Sequence, residues 1–362
     1  MPAAIRQSMA CVSGLVYHYG EFTEGHLELS EGGARFLKGP GDDALAEGII
    51  IPKLVNCHTH LGDVFIPRPE GGSIREIVAP PDGLKHRMLR RVSEEEQVAA
   101  MHGAIARMRR SGLSHFIDFR EGGLEGVKRL LNASIGTHVR PVIFGRPSTQ
   151  AFDEAEVDSL LSVVDGIGVS GIAEWNRGEL KELADMARRA GKPFSLHASE
   201  SMREDIDAIL DMRPAFLIHM IEATDSDLEV CASSQTPIVV CPTANSFFGI
   251  RAPVERMLEA GVKVCLGTDN AMLAAPDILS EMRALRAMVQ KDRLSNPALF
   301  RICLDNGRKT LNSILGLSAE VGEYGDFLVL DKPLDDPFGQ VLEATEEDIH
   351  PVSFQKFDGE VR

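Results

Sequence analysis

Short apolar runs set the rhythm of this chain. From Ile49 onward they recur at Ile49–Cys57, His115–Phe119, Val139–Phe144, Gly166–Ile172, Pro193–Leu196, Ala215–Ile218, Pro237–Cys241 and Val262–Leu266. Between them lie stretches with helical spacing. Ser93–Ser111 puts Val98, Met101, Ile105 and Met108 on one face. It opens with Ser93 and Glu96 at capping-box spacing and is closed by Gly112. Gly178–Ala190 repeats the pattern with Leu180, Leu183, Ala184 and Ala187, and Asp277–Gln290 with Ile278, Met282, Leu285 and Val289. Buried strands alternating with amphipathic helices are the mark of βα units on a parallel sheet. Eight such units predict an α/β fold, a (β/α)8 TIM barrel over residues 49–319. An open, doubly wound sheet is the alternative, but no Gly-rich dinucleotide fingerprint opens the first unit.

The two ends read differently. Met9–Tyr19, His26–Leu29 and Ala34–Leu37 look like short strands punctuated by Gly20, Gly25, Gly32, Gly33, Gly39 and Gly41. Past Gly322, Asp326–Asp331 reads as a strand again. The expectation is a small β-sandwich domain formed from both chain ends, residues 1–48 and 320–362. No internal repeat or low-complexity linker interrupts the chain.

Composition narrows the function classes. Of 362 residues 44% are hydrophobic, enough for a sizeable core, and Asp+Glu outnumber Lys+Arg 54 to 38 for a net charge of −16. That balance argues against a nucleic-acid partner, whose phosphates need clustered Lys and Arg. The six cysteines (Cys11, Cys57, Cys231, Cys241, Cys265, Cys303) form no C-x-x-C pair, so neither a zinc ribbon nor a disulfide framework is read. Buried thiols, no signal peptide and no run of apolar residues long enough for a membrane span together predict a cytoplasmic enzyme without a membrane partner. It would act on a small molecule, and a homo-oligomer is the base-rate expectation.

In a TIM barrel the reacting groups sit just past the C-terminal ends of the strands. After the first run comes Asn56-Cys57-His58-Thr59-His60, where two histidines two apart share a face of the strand. The fifth ends in His197-Ala198-Ser199-Glu200, the sixth in Ile218-His219, and the eighth in Gly267-Thr268-Asp269. Each piece alone has an ordinary reading as a hydrogen-bonded strand-end residue. Their order, H-x-H, then His, His and Asp around one mouth, is what a catalytic metal site requires.

These segments resemble the amidohydrolase superfamily. Ile51–His60 looks like its first-strand signature, and His197-x-x-Glu200 is similar to its cytosine, guanine and S-adenosylhomocysteine deaminase and chlorohydrolase-like branch. Cys241-Pro-Thr-Ala-Asn245 with Phe248-Gly249, Gly267-Thr-Asp269 and Gly325–Asp331 fit the later strands of that branch. The resemblance implies that His58, His60, His197 and Asp269 hold one divalent ion per subunit, Zn2+ first and Fe2+ second. Water bound to such an ion ionises at about pH 7. It further implies that Asp269 accepts the water's proton, Glu200 shuttles protons, and His219 stabilises the attacking oxygen.

The expected activity is hydrolytic deamination of an amino-substituted heterocycle, base or nucleoside-like compound. The rival within the enzyme class is hydrolysis of a cyclic amide, imidazolone or halogenated ring. A non-catalytic barrel scaffold fits poorly, because every expected ligand is present. The dinuclear branch needs a bridging Lys at the end of strand four, and Gly166–Trp175 has none. Glu174 stands near that strand end as a conceivable substitute. The Gly/Pro-rich segment 61–92 reads as a lid or binding loop. Asp63 and His86 within it, Arg146 past the third strand, and Asn245 are the substrate-binding candidates. Glu200 has a competing reading as a cap of the helix that follows.

Overall fold

The structure, a computed structural model, describes residues 10–18, 20–30, 33–316, 323–324, 327–331, 333 and 335–352. Met9, Tyr19, Gly32, Gly322, Gly325 and Asp326, named above, lie outside them. The chain opens with β1 (Cys11–His18), β2 (Glu21–Ser30), β3 (Gly33–Lys38) and β4 (Glu47–Pro52). Then follow β5 (Leu54–His60), β6 (Leu113–Arg120), β7 (Arg140–Gly145), β8 (Gly166–Val169) and β9 (Phe194–Ala198). After these come β10 (Leu217–His219), β11 (Ile238–Val240), β12 (Val264–Leu266) and β13 (Asp269–Asn270). The last are β14 (Glu323–Tyr324), β15 (Phe327–Leu330) and β16 (Ile349–Val352).

Strands β5 to β13 form a nine-stranded parallel sheet ordered β12-β11-β10-β9-β8-β7-β6-β5-β13. It is TIM-barrel-like, and its curl is closed by one broken strand. Gly267 N donates to Val240 O and Thr268 N to His58 O, each at 3.0 Å, so the chain leaves β11 and takes up β5 within two residues. A Cβ on Gly267 would lie 2.8 Å from the Cβ of His58, which is why a glycine stands at the crossover.

The ends of the chain do come together in hydrogen-bonded register. Strands β14-β3-β2-β1-β4-β15-β16 make one seven-stranded sheet, and no second sheet stacks on it among the described residues. Alternation along the strands gives this sheet two apolar faces. Val12, Val16, Ile50, Phe327 and Val329 pack with one another, whereas Tyr17, Ile49, Ile51, Leu328 and Leu330 join the cluster that includes Met101, Ile105 and Met108 of the barrel helix Glu94–Arg110. The barrel thus covers one of the two faces. Gly14, at φ 139°, lets β1 approach β4, since a Cβ there would meet Gly48 O at 1.9 Å.

The apolar run Ile49–Cys57 is likewise two strands. β4 pairs with β1 and β15 in the small sheet, and only β5 enters the barrel. Helix Glu94–Arg110 has half of its predicted capping box: Ser93 accepts from Glu96 N, without the reciprocal bond. Helices Arg177–Arg189 and Ile278–Met288 match the predicted amphipathic stretches. All six cysteines are free and buried. No helix among the described residues is long and apolar enough to cross a membrane.

Candidate active site

The predicted groups gather at the C-terminal mouth of the barrel. On β5 the alternation turns His58 and His60 to one side and Thr59 to the other, where its hydroxyl donates to Asp118 at 2.8 Å. His197 comes from β9, His219 ends β10 and Asp269 opens β13. Three residues here hold the left-handed backbone that non-glycine residues avoid: Ser199 (φ 47°), His219 (φ 75°) and Asp269 (φ 61°). Such strain clusters where a strand must turn abruptly to present a side chain.

His58, His60, His197 and Asp269 bring one donor atom each to within 4.8 Å of one another. His60 Nδ1 lies 3.1 Å from Phe119 O and 2.7 Å from Glu121 Oε1, and His197 Nδ1 lies 3.0 Å from Val169 O. Those partners only accept, so each Nδ1 carries the proton and each Nε2 presents a lone pair. Yet His197 Nε2 stands 3.2 Å from the Nε2 atoms of both His58 and His60. Asp269 Oδ1 completes the set at 3.4 Å from His58 Nε2 and 3.6 Å from His60 Nε2. Donors bound at roughly 2.0–2.1 Å around a tetrahedral ion are about 3.3 Å apart. Donor atoms converging at that spacing fit a divalent cation.

Electrostatics agree. Burial, and then Lys85, push His60 down to about 4, and burial lowers His58 and His197 as well. Burial opposes the charge on Asp269, but the hydrogen bond with His58 and the neighbouring histidines outweigh it. Its carboxyl is held well below the ordinary range.

A second trio sits beside the first. His219 Nε2 is 3.5 Å from Glu200 Oε1 and 3.9 Å from Asp269 Oδ2. Asn245 Nδ2 donates to His219 Nδ1 at 3.3 Å, which leaves Nε2 as the N–H pole facing the carboxylates. Burial, then Asp269 against the opposing pull of His219, raises Glu200. Glu200 is no helix cap: Asp205 caps the helix Ile206–Asp211.

A small cavity of about 70 Å³ adjoins these groups, lined among others by His60, Lys85, Arg146, Glu174, Glu200 and Asp269. It shares Ile74, Ala79, Gly171, Glu174, His197 and Glu200 with a wider one of about 450 Å³. Segment 61–92 supplies part of the wall through the helix Ile74–Ile77 and Val78–Pro80. Arg146 and Glu174 therefore face the cavity, but Glu174 joins no metal-competent group among the described residues.

Three substrate candidates do not line it. Asp63 is buried and accepts from Asn270 Nδ2 and Met272 N, both at 2.9 Å, so it ties down the chain just after Asp269. His86 turns its Nε2 to Val78 O at 3.2 Å. Asn245 stands behind His219 rather than in front of it.

Sequence reasoning passed over Lys85 and Glu121. Lys85, next to His86 on the helix Leu84–Leu89, is buried with Nζ 2.5 Å from Glu121 Oε1. Arg120 Nη2 donates to Glu121 Oε2 at 2.6 Å, and Arg146 Nη1 is 3.6 Å from Oε1. Glu121 carried a signal, being polar just past the run His115–Phe119; Lys85 carried none.

Comparison with known proteins agrees with this geometry. The sequence model of the amidohydrolase family matches residues 49–362. An uncharacterized protein of Methanocaldococcus jannaschii is 33% identical over 257 residues, 65% of this chain and 67% of that protein. A 5-methylthioadenosine/S-adenosylhomocysteine deaminase of Halobacterium salinarum is 26% identical over 333 residues, 80% of this chain and 75% of that one. Among solved structures, zinc-complexed atrazine chlorohydrolase from Arthrobacter aurescens superposes with a TM-score of 0.76 at 15% identity, covering 96% of this chain and 94% of that one.

Proposed function

The chain belongs to the amidohydrolase family, and from that premise we propose that it is a hydrolytic deaminase of an amino-substituted heterocycle, base or nucleoside-like compound. The observation that carries the reading is the Glu200–His219 pair at 3.5 Å, set directly against the metal-competent cluster. A cluster alone would serve any hydrolase; deamination also needs a group that can give and take protons beside it. The family's C–N bond chemistry and the relative named as a deaminase support the same direction.

His58, His60, His197 and Asp269 would hold one divalent ion per chain, zinc in the first instance and iron as the alternative. When bound, such an ion supplies the Lewis acidity that makes water a nucleophile near neutral pH. Asp269, held ionised, takes the proton of the attacking water. Glu200, its carboxyl raised by burial, hands a proton to the ring nitrogen beside the reacting carbon; of the water's two protons, the one taken by Asp269 passes to the amine and the one left on the new hydroxyl restores Glu200. The new C–O bond forms, the C–N bond breaks, and ammonia leaves. His219 Nε2–H, fixed by Asn245, donates to the developing oxyanion. Arg146 and Lys85, both on the cavity wall, are the polar handles for the rest of the substrate. Six buried, free cysteines accord with a cytoplasmic setting.

The test is ammonia release by the metal-loaded protein across aminated purines, their nucleosides, pyrimidines, pterins and triazines. Turnover of at least one class is expected. Silence across all of them, with turnover of a lactam, an imidazolone or a chlorinated ring, would replace deamination by the rival reaction.

A further inference from the structure

The opposite mouth of the barrel carries a feature that the reaction does not use. A cavity of about 530 Å³ is walled there by the turns that lead into β9, β10, β11 and β12, together with the helix Gly307–Leu315. Arg188, Lys192, Arg213, Lys263 and Lys309 line it, each from a different one of these segments or the helix before them, and among the described residues no carboxylate does. In a chain where acidic residues outnumber basic ones 54 to 38, five charged residues of the minority sign do not meet by composition. Only Arg188 has an ion-pair partner, Asp185 at 2.5 Å; among the described residues Lys192, Arg213, Lys263 and Lys309 form none. Gln235, Thr310 and Ser313 add neutral hydrogen-bonding groups to the wall.

We infer that this basin is a second binding site, for a small ligand carrying two or more linked phosphates. Its volume suits a small molecule. Four cations that form no ion pair among the described residues, lining one concave surface, match a short polyanion better than a single carboxylate, which one of them could satisfy. The same phosphate chain occurs in inorganic polyphosphate and in nucleoside triphosphates. The site is separate from the catalytic mouth, because its residues precede the strands whose far ends bear His197, His219 and Asp269.

Calorimetric titration of the metal-loaded full chain with tripolyphosphate, and separately with ATP, tests this at low salt. One equivalent is expected to bind, and a Lys192→Gln/Lys263→Gln/Lys309→Gln variant should bind roughly tenfold or more weakly. Equal affinities assign recognition to the phosphates alone, and tighter ATP binding adds the nucleoside; both support the site. No binding by either probe overturns it. So does binding that the triple variant leaves unchanged, which puts the anion elsewhere, as at the catalytic ion. Should the triple variant melt below the parent, Lys263→Gln alone is read by the same criterion, since that side chain is exposed.

Discussion

Glu121 shows how much of the chemistry rests on one residue that binds nothing itself. Burial alone would raise its carboxyl, but Lys85 above all, then His60 and Arg120, hold it well below the usual range. It can therefore stay charged and fix His60 from behind, as carboxylates commonly do for histidines that ligate metals. Glu121→Gln is expected to weaken metal affinity about 10- to 100-fold, measured by competition with a chelator. Unchanged affinity would make the contact incidental. Glu200→Gln, by contrast, should keep the metal and lose turnover by about 10²- to 10⁴-fold. Retained turnover would remove Glu200 from the proton path. At this scale the sequence was legible where a polar residue followed an apolar run, as with His197, His219 and Asp269. It misled within segment 61–92, where only the local fold decides that Lys85 faces the cavity and His86 turns to Val78.

Elements were legible in proportion to their contrast. Amphipathic helices announced themselves because one face is wet, so Arg177–Arg189 departs from its predicted bounds by a single residue at each end. The break between β4 and β5 left no trace, because both strands are almost wholly buried and periodicity vanishes when both faces are dry. The small sheet was less legible for a related reason: alternation tells that a sheet has two faces, not what covers each. A helix end offers a test of an electrostatic element. Hydrogen bonds from Arg203 at 2.8 Å, against the opposing effect of burial and helped by Thr224, hold Asp227 at about 2. A depressed carboxyl stabilises the fold above the unfolded value of about 3.9 and ceases to do so as the pH falls through the folded one. Asp227→Asn should therefore lower the melting temperature by a few degrees at pH 7 and by much less near pH 2. An equal loss at both pH values would mean that packing, not charge, is what the residue supplies.

At the scale of the whole molecule, strands distant in sequence meet only because the sheet closes. His58 and His60 lie on its first strand, His197 halfway round, and Asp269 on the segment that crosses back to pair with Thr59. The spacing of those residues along the chain says nothing of this; the count of βα units does, and that is why the barrel was readable before the small sheet was. The same closure brings four donors to the spacing a tetrahedral ion demands, so the metal content of the purified chain is the most direct measurement. One equivalent of zinc or iron per chain is predicted for protein prepared without chelators, with almost none in His58→Ala. Metal-free wild-type protein would contradict the reading, as would a full equivalent in the variant.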